Sequence, residues 1–335
     1  MKDESKSNRI LCLYDELRAG KAIDKAAWAE AHNVCERSVR RDLDTIQRYL
    51  CEKSRADTDL EDMNLIRRKG KGKYGIANLE NSFLGEGELL AICKILIESR
   101  AFDKEKLQSL LERLLQSVVS AEGKERIQSY ISNELFNYKN PAHADPEGGF
   151  LWTIAQAIEN RNIVTFGYTK MGAKNPVRHR IRPVGILFSE YYFYLMGIED
   201  SEKGEEQFKK SGPRSYRIDR MTNLKATEDS FKLPYSERFK EGEYKNRVQF
   251  MYGGEPYTLT LQYFGPSVEA VLDRLPTAEI TKEENGTCTI HAEVAGPGIL
   301  MWLLSQGSLI SVTSPAWLRE KWLGEMRKIL EREKQ

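Results

Sequence analysis

The sequence predicts an α+β protein made of consecutive units: three helices and a hairpin, an all-helical connector, a small strand-rich body and a mixed α/β tail. Three observations carry this. Apolar residues recur at helical spacing over most of the first 140 positions. After a stretch rich in Pro, Ala, Asp and Gly (Pro141 to Gly149), the pattern changes to short alternating runs. At 335 residues the chain also exceeds the size at which a single hydrophobic core stops growing. The expected units are residues 1–78, 79–145, 146–232 and 246–335.

In the first unit Ile10, Leu13, Tyr14 and Leu17 share a helical face, and Gly20 is a natural stop. A second helix follows, with Asp24 as its N-cap and Ala27, Trp28 and Ala31 on its apolar side. His32-Asn33-Val34 then supplies a tight turn in which Asn33 takes a left-handed conformation. The third helix is expected from near Cys35 to about Tyr49, with Val39, Leu43, Ile46 and Leu50 on one face. An acidic patch (Asp57, Asp59, Glu61, Asp62) precedes a hairpin over Leu65 to Ile76, turning at its glycines.

Residues 83–140 read as helix throughout, with Leu89, Leu90, Ile92, Cys93, Leu96 and Ile97 in one amphipathic stretch and Leu107, Leu110, Leu111, Leu114 and Leu115 in another. The third unit opens with a short helix (Leu151 to Asn160) followed by four β-like runs at 163–168, 181–187, 191–198 and 215–221, separated by turns. Their spacing suits a small, strongly bent barrel or sandwich. The tail is expected as a strand at 257–264, a helix at 266–275, a strand at 287–294, a helix at 297–304, a strand at 309–312 and a last helix from Pro315.

Composition excludes several classes. Hydrophobic residues at 40% and charged residues at 30%, with 15 tyrosines, describe a globular chain rather than a disordered one. A net charge of +1 leaves any electrostatic argument to local clustering. No apolar run approaches ~18 residues, and the N-terminus lacks a signal-peptide pattern, so a cytoplasmic protein without membrane contact is expected. Five scattered cysteines without a C-x-x-C pair point to reduced thiols and no zinc.

The third helix carries the clearest chemistry. Opposite its apolar face lie Arg37, Ser38, Arg40, Arg41, Asp44, Gln47 and Arg48, several of them in the first two turns, where a recognition helix meets base edges and phosphates. Arginine suits the task because its planar fork pairs with guanine or clamps a phosphate. A hairpin bearing Arg67, Arg68, Lys69, Lys71 and Lys73 follows, giving a second positive element for the backbone. Val34-Cys35-Glu36-Arg37-Ser38-Val39-Arg40-Arg41-Asp42-Leu43 resembles the valine-serine-x-arginine-threonine-x-arginine-arginine-aspartate run of the winged helix-turn-helix in DeoR-like and WYL-domain regulators. Cys35 stands where a serine N-cap is usual, a change that costs about 1 kcal/mol of helix stability, partly offset by Glu36 at the positive helix end.

The segment from about 150 to 231 concentrates Arg178, Arg180, Arg182, Arg214, Arg217 and Arg220 with Tyr168, Tyr191, Tyr192, Tyr194 and Tyr216. Arginines among aromatics suit an anionic, stackable ligand. Phe193-Tyr194-Leu195, with Arg182-Pro183-Val184-Gly185-Ile186 before it and Arg214 to Met221 after it, resembles a WYL domain, with Phe193 in place of tryptophan. The resemblance implies an Sm-like or SH3-like barrel that senses a nucleotide or nucleic-acid effector, with Tyr168, Arg182, Phe193, Tyr194, Arg214, Arg217 and Arg220 as candidate contacts. Trp302 to Gly307 and Ser314 to Arg319 resemble the C-terminal extension common to these regulators, and the family arrangement implies a homodimer.

Enzyme readings fail on spacing. Gly70-Lys71-Gly72-Lys73-Tyr74-Gly75 lacks the spacing and the following helix of a phosphate loop. His32, His143, His179 and His291 are isolated, and no G-x-S-x-G elbow occurs. The expectation is therefore a non-enzymatic, cofactor-free regulator that binds a duplex DNA operator. The alternative is a non-regulatory module for single-stranded nucleic acid.

Overall fold

The structure, a computed structural model, describes residues 5–18, 21–55, 66–68, 70, 72–76, 84–116, 121–142, 149–284 and 286–334. Gly20, the acidic patch at 57–62, Lys69, Lys71 and His143 lie outside the described residues. The chain divides into two compact units, 1–141 and 142–335.

The first unit begins with α1 (Lys6–Arg18), β1 (Ile23–Asp24), α2 (Lys25–Ala31), α3 (Glu36–Arg55), β2 (Ile66–Arg68) and β3 (Lys73–Ile76). Leu13, Leu17, Ile23, Trp28, Val39, Leu43 and Ile46 bury against one another as its core. The apolar face expected on α3 is thus the buried one, and the helix runs past Tyr49 to Arg55. Asp24 caps α2 by accepting from the Ala26 and Ala27 amides at 3.0 and 3.2 Å. Asn33, at φ 50°, turns the chain into α3. The hairpin joins a three-stranded antiparallel sheet ordered β1-β3-β2, with Ile23 opposite Tyr74 and Arg68 opposite Tyr74 on the other side. The Lys25 amide donates to the Gly72 carbonyl at 3.1 Å, which ties the hairpin turn to the start of α2.

Three further helices, α4 (Glu86–Ser99), α5 (Lys104–Gln116) and α6 (Ala121–Phe136), form the connector. Leu89, Cys93 and Ile97 recur every fourth residue, as do Leu107, Leu111 and Leu115. They meet Ile127 and Ile131 in a separate core, as the amphipathic pattern requires.

In the second unit, α7 (Phe150–Asn160) covers a five-stranded antiparallel sheet of β4 (Asn162–Tyr168), β5 (Val177–Ser189), β6 (Tyr192–Glu199), β7 (Arg214–Arg217) and β8 (Met221–Ser230), in the order β7-β6-β5-β4-β8. Consecutive strands β7 and β8 occupy opposite edges. Four residue steps from Arg217 to Met221 span at most about 14 Å, whereas four spacings of a flat sheet need about 19 Å. The sheet must therefore curl, and irregular registers between Pro183 and Gly185 and along β4 help it bend. Ile154, Val164, Phe166, Ile181, Leu195, Tyr216 and Leu224 fill the concave side. The edges do not pair, so the barrel expected from the sequence is curled but not closed.

Two features of this body depart from the sequence reading. Where turns were expected, α8 (Glu202–Ser211) forms between β6 and β7. Ser201 caps it by accepting from the Gly204 amide, acidic residues occupy its first turn and Lys209 and Lys210 its last, so caps and charges shape a helix with little apolar periodicity. The run expected at 215–221 is broken by a 3-10 turn at Ile218–Arg220, the corner at which the chain crosses from one sheet edge to the other.

After α9 (Glu241–Arg247), the tail folds as β9 (Pro256–Tyr263), α10 (Glu269–Arg274), β10 (Glu279–Glu284), β11 (Thr287–Ala295), α11 (Ile299–Ser305), β12 (Ile310–Ser314) and α12 (Ala316–Arg332). Its sheet is ordered β10-β11-β9-β12. One face of β9 (Leu259, Leu261, Tyr263) packs with Trp302, Leu303, Leu318 and Trp322 from the helices. Strand β10, exposed throughout, had no alternation to reveal it.

Candidate nucleic-acid interface and ligand cavity

Because Val39, Leu43 and Ile46 are buried, the helical period turns Arg37, Arg40, Arg41, Asp44 and Arg48 outward, and all five are exposed. Among the described residues none of these arginines forms an ion pair. Their guanidinium groups are thus presented to solvent with full charge and an open set of donors. The next residue, Asp42, does the opposite. It is 1% exposed and accepts from Arg9 Nε at 2.8 Å, holding α3 to α1 through a buried ion pair.

Other residues of the expected interface have additional partners. Gln47 Oε1 accepts from the Ile66 amide at 2.6 Å and so fixes the start of β2 against α3. Ser38, half-buried, lies 3.3 Å from Cys35 Sγ, and its amide donates to the Cys35 carbonyl at 2.8 Å, closing the first turn. The bond from Ser38 holds the exposed Cys35 thiol below its ordinary pKa. Lys73 is exposed on β3, and Arg67 and Arg68 stand on β2. Gly70 (φ 137°) and Gly72 (φ 81°) occupy backbone conformations closed to most side chains, which is why the turn contains them.

The arginines of the second unit differ in kind. Arg182 meets Asp200 at 2.7 Å and also pairs with Glu205, and Arg180 shares Asp200 and adds Asp229 at 2.8 Å. Burial works to raise the Asp200 carboxyl, but bonds from Arg180 and Arg182 hold it below the usual carboxylate range. Arg214 pairs with Glu199 at 2.8 Å and donates to Gln207 at 2.8 Å. Arg217 pairs with Asp219 at 2.7 Å and lies 3.3 Å above the Tyr192 ring. Only Arg220 of the expected effector arginines has no carboxylate partner among the described residues.

Strand alternation separates the aromatic candidates. Phe193 points to the concave side and packs on Phe188 at 4.9 Å. Tyr194 lies on the convex side with Leu187, Met196, Phe239 and Met251, where burial pushes its phenol up to about 12. Tyr168 joins Phe166, His179 and Tyr216 in an aromatic cluster, its hydroxyl accepting from the Arg217 amide at 3.3 Å. The seven expected contacts therefore do not form one surface. Tyr168 and Arg214 instead line a cavity of about 440 Å³. His179 also lines it and was missed, because a single histidine on a strand has no spacing signal.

Comparison with known proteins adds the following. Residues 149–226 match the WYL domain and residues 255–330 match the WCX domain. No curated protein matches the chain. Among solved structures, the chain is similar to the proteasome accessory factor B/C (PafBC) of Arthrobacter aurescens, at 18% identity and a TM-score of 0.28. That match covers 94% of this chain and 45% of the other, so the chain spans less than half the length of PafBC. A structure titled a CRISPR Cas-related protein is similar at 16% identity and a TM-score of 0.36, over 67% of this chain and 65% of the other.

Proposed function

We propose that this chain, whose residues 149–226 and 255–330 match the WYL and WCX domains, is a transcriptional regulator that binds duplex DNA through its first unit. The observation that carries this reading is the exposed, unneutralised arginine face of α3, backed by a buried face and followed by a basic hairpin. In this reading residues 1–78 act as a winged helix-turn-helix. Arg37, Arg40, Arg41 and Arg48 enter the major groove or clamp its phosphates, Ser38 and Gln47 border the groove, and the 67–73 hairpin contacts the backbone. The protein acts without catalysis or cofactor, as a homodimer reading two half-sites about 34 Å apart. The second unit senses a nucleotide or nucleic-acid effector and biases the dimer by as much as the effector discriminates between its two states.

The contrast between the arginine clusters supports assigning duplex binding to α3. A phosphate approaching Arg182 or Arg217 must compete with a carboxylate already in place, whereas one approaching Arg40 displaces only water and counterions. Binding of operator-length duplex by the full chain, followed by fluorescence anisotropy at several salt concentrations, tests the proposal. Arg40→Ala and Arg41→Ala are expected to bind more weakly while keeping the wild-type melting temperature. Wild-type affinity in both variants would refute it, and tighter binding of single strands than of any duplex would favour a single-strand module instead.

A further inference from the structure

A second cavity of the second unit, of about 430 Å³, lies where the C-terminal end of α7, the bulged middle of β5 and the segment 231–241 meet. Its floor is apolar, made by Ile158, Pro183, Val184, Phe231, Leu233 and Phe239. Phe231 and Phe239 are themselves buried, which anchors the floor in the packed body. Gly185 makes room on one side. A Cβ there would stand 3.0 Å from both the Phe239 ring and Glu241 Oε1, so the missing side chain lets these two groups close in.

The opposite wall is fixed by the backbone. Arg161 ends α7 in a left-handed conformation (φ 56°), and its carbonyl accepts from the Phe231 amide at 3.0 Å. Pro234 opens a 3-10 turn over Tyr235–Glu237, closed by the Glu237 amide donating to the Pro234 carbonyl at 2.9 Å. The turn carries Tyr235 to the edge of the cavity, where it is 88% exposed. A ring held so far out of the core buries little area on folding and keeps that area for a ligand.

Four charged side chains line the mouth: Arg161, Arg238, Glu159 and Glu241. All four are exposed, and among the described residues none has an ion pair or a side-chain hydrogen bond. That sets them apart from Arg180, Arg182, Arg214 and Arg217 of the curled sheet, each of which already holds a carboxylate. Two guanidinium and two carboxylate groups leave the mouth without net charge, so a simple anion or a simple cation meets repulsion along with attraction. A zwitterion satisfies both sets, its carboxylate on the arginine forks and its ammonium on the glutamates. The apolar floor then calls for a hydrophobic body between the two charges.

We propose that this cavity binds a free α-amino acid with a large apolar side chain, the side chain on Phe231 and Phe239, the carboxylate toward Arg161 and Arg238, and the ammonium toward Glu159 and Glu241. None of the residues expected to contact a nucleotide effector lines this cavity. The proposal is therefore independent of that reading and adds a second ligand to the same unit.

Isothermal titration of the full chain with leucine, phenylalanine and tryptophan tests it, with glycine, N-acetylphenylalanine and phenylalaninamide as separate arms. At least one of the three apolar amino acids is expected to bind saturably at one site, and glycine is expected not to bind. Removing either charge of phenylalanine, in the acetylated or the amidated form, is expected to weaken binding tenfold or more. Arg238→Ala and Glu241→Gln are each expected to do the same, with Arg178→Ala, outside the cavity, unchanged. Both cavity positions are exposed, so the variants are expected to keep the wild-type melting temperature. No binding by any of the three amino acids, equal binding by glycine, equal binding by both capped forms, or unaltered binding in both cavity variants would each overturn the proposal.

Discussion

Arg40, Arg41 and Asp42 are consecutive on α3, yet they serve different ends: the arginines face solvent, and the aspartate is sealed against Arg9. Arg40→Ala is expected to cost about 1–3 kcal/mol of duplex binding if the side chain reads a base, or to reduce the salt slope by about one if it neutralises a phosphate. Anisotropy titrations across salt distinguish the two, and an unchanged affinity with an unchanged slope would remove Arg40 from the interface. Asp42→Asn is expected to destabilise the first unit by about 3 kcal/mol, since it removes the buried carboxylate charge that pairs with Arg9. Chemical denaturation checks this, and a loss below about 0.5 kcal/mol would show the pair to be dispensable. The arginine face was legible in the sequence because a four-three-four apolar period fixes the opposite side. Asp42's role was not legible, since its partner lies 33 residues away in sequence.

At the level of elements, the hairpin packs on the core through Ile66 and Tyr74, and the Gln47 side chain ties its first strand to α3. Gln47→Ala removes the acceptor of the Ile66 amide and is expected to cost about 1 kcal/mol, with faster hydrogen exchange confined to β2 and β3 and weaker duplex binding. Exchange unchanged at Ile66 would show that the strand is held by its sheet partners alone. In the curled sheet, a Cβ at Gly197 would fall 2.2 Å from Ile181 Cγ2. Gly197→Ala is therefore expected to lower stability by about 1–3 kcal/mol, and a wild-type melting temperature would show that β5 and β6 can part without cost. Caps and apolar periods made α2, α3 and the tail helices readable in advance. Helix α8 escaped because its sequence carries caps and charge but almost no apolar stripe, and the open edge between β7 and β8 escaped because strand count alone does not settle whether a sheet closes.

For the whole molecule, the chain divides into two compact units at residue 141, beside the Pro- and Gly-rich stretch where the hydrophobic period shifts. Which arginines remain available was not readable, because it depends on carboxylates such as Asp200 and Glu205 that reach Arg182 from other elements. A homodimer is expected in sedimentation at micromolar concentration, and a strict monomer with and without DNA would contradict two-half-site reading. The most direct measurement is selection of bound duplexes from a random pool by the full chain, in parallel with Arg40→Ala. The expected result is a two-fold symmetric motif, its half-sites one helical turn or a multiple apart, that the variant fails to enrich. Enrichment of the same motif by the variant, or of no motif at any salt concentration, would contradict the assignment of α3 as the DNA-reading helix.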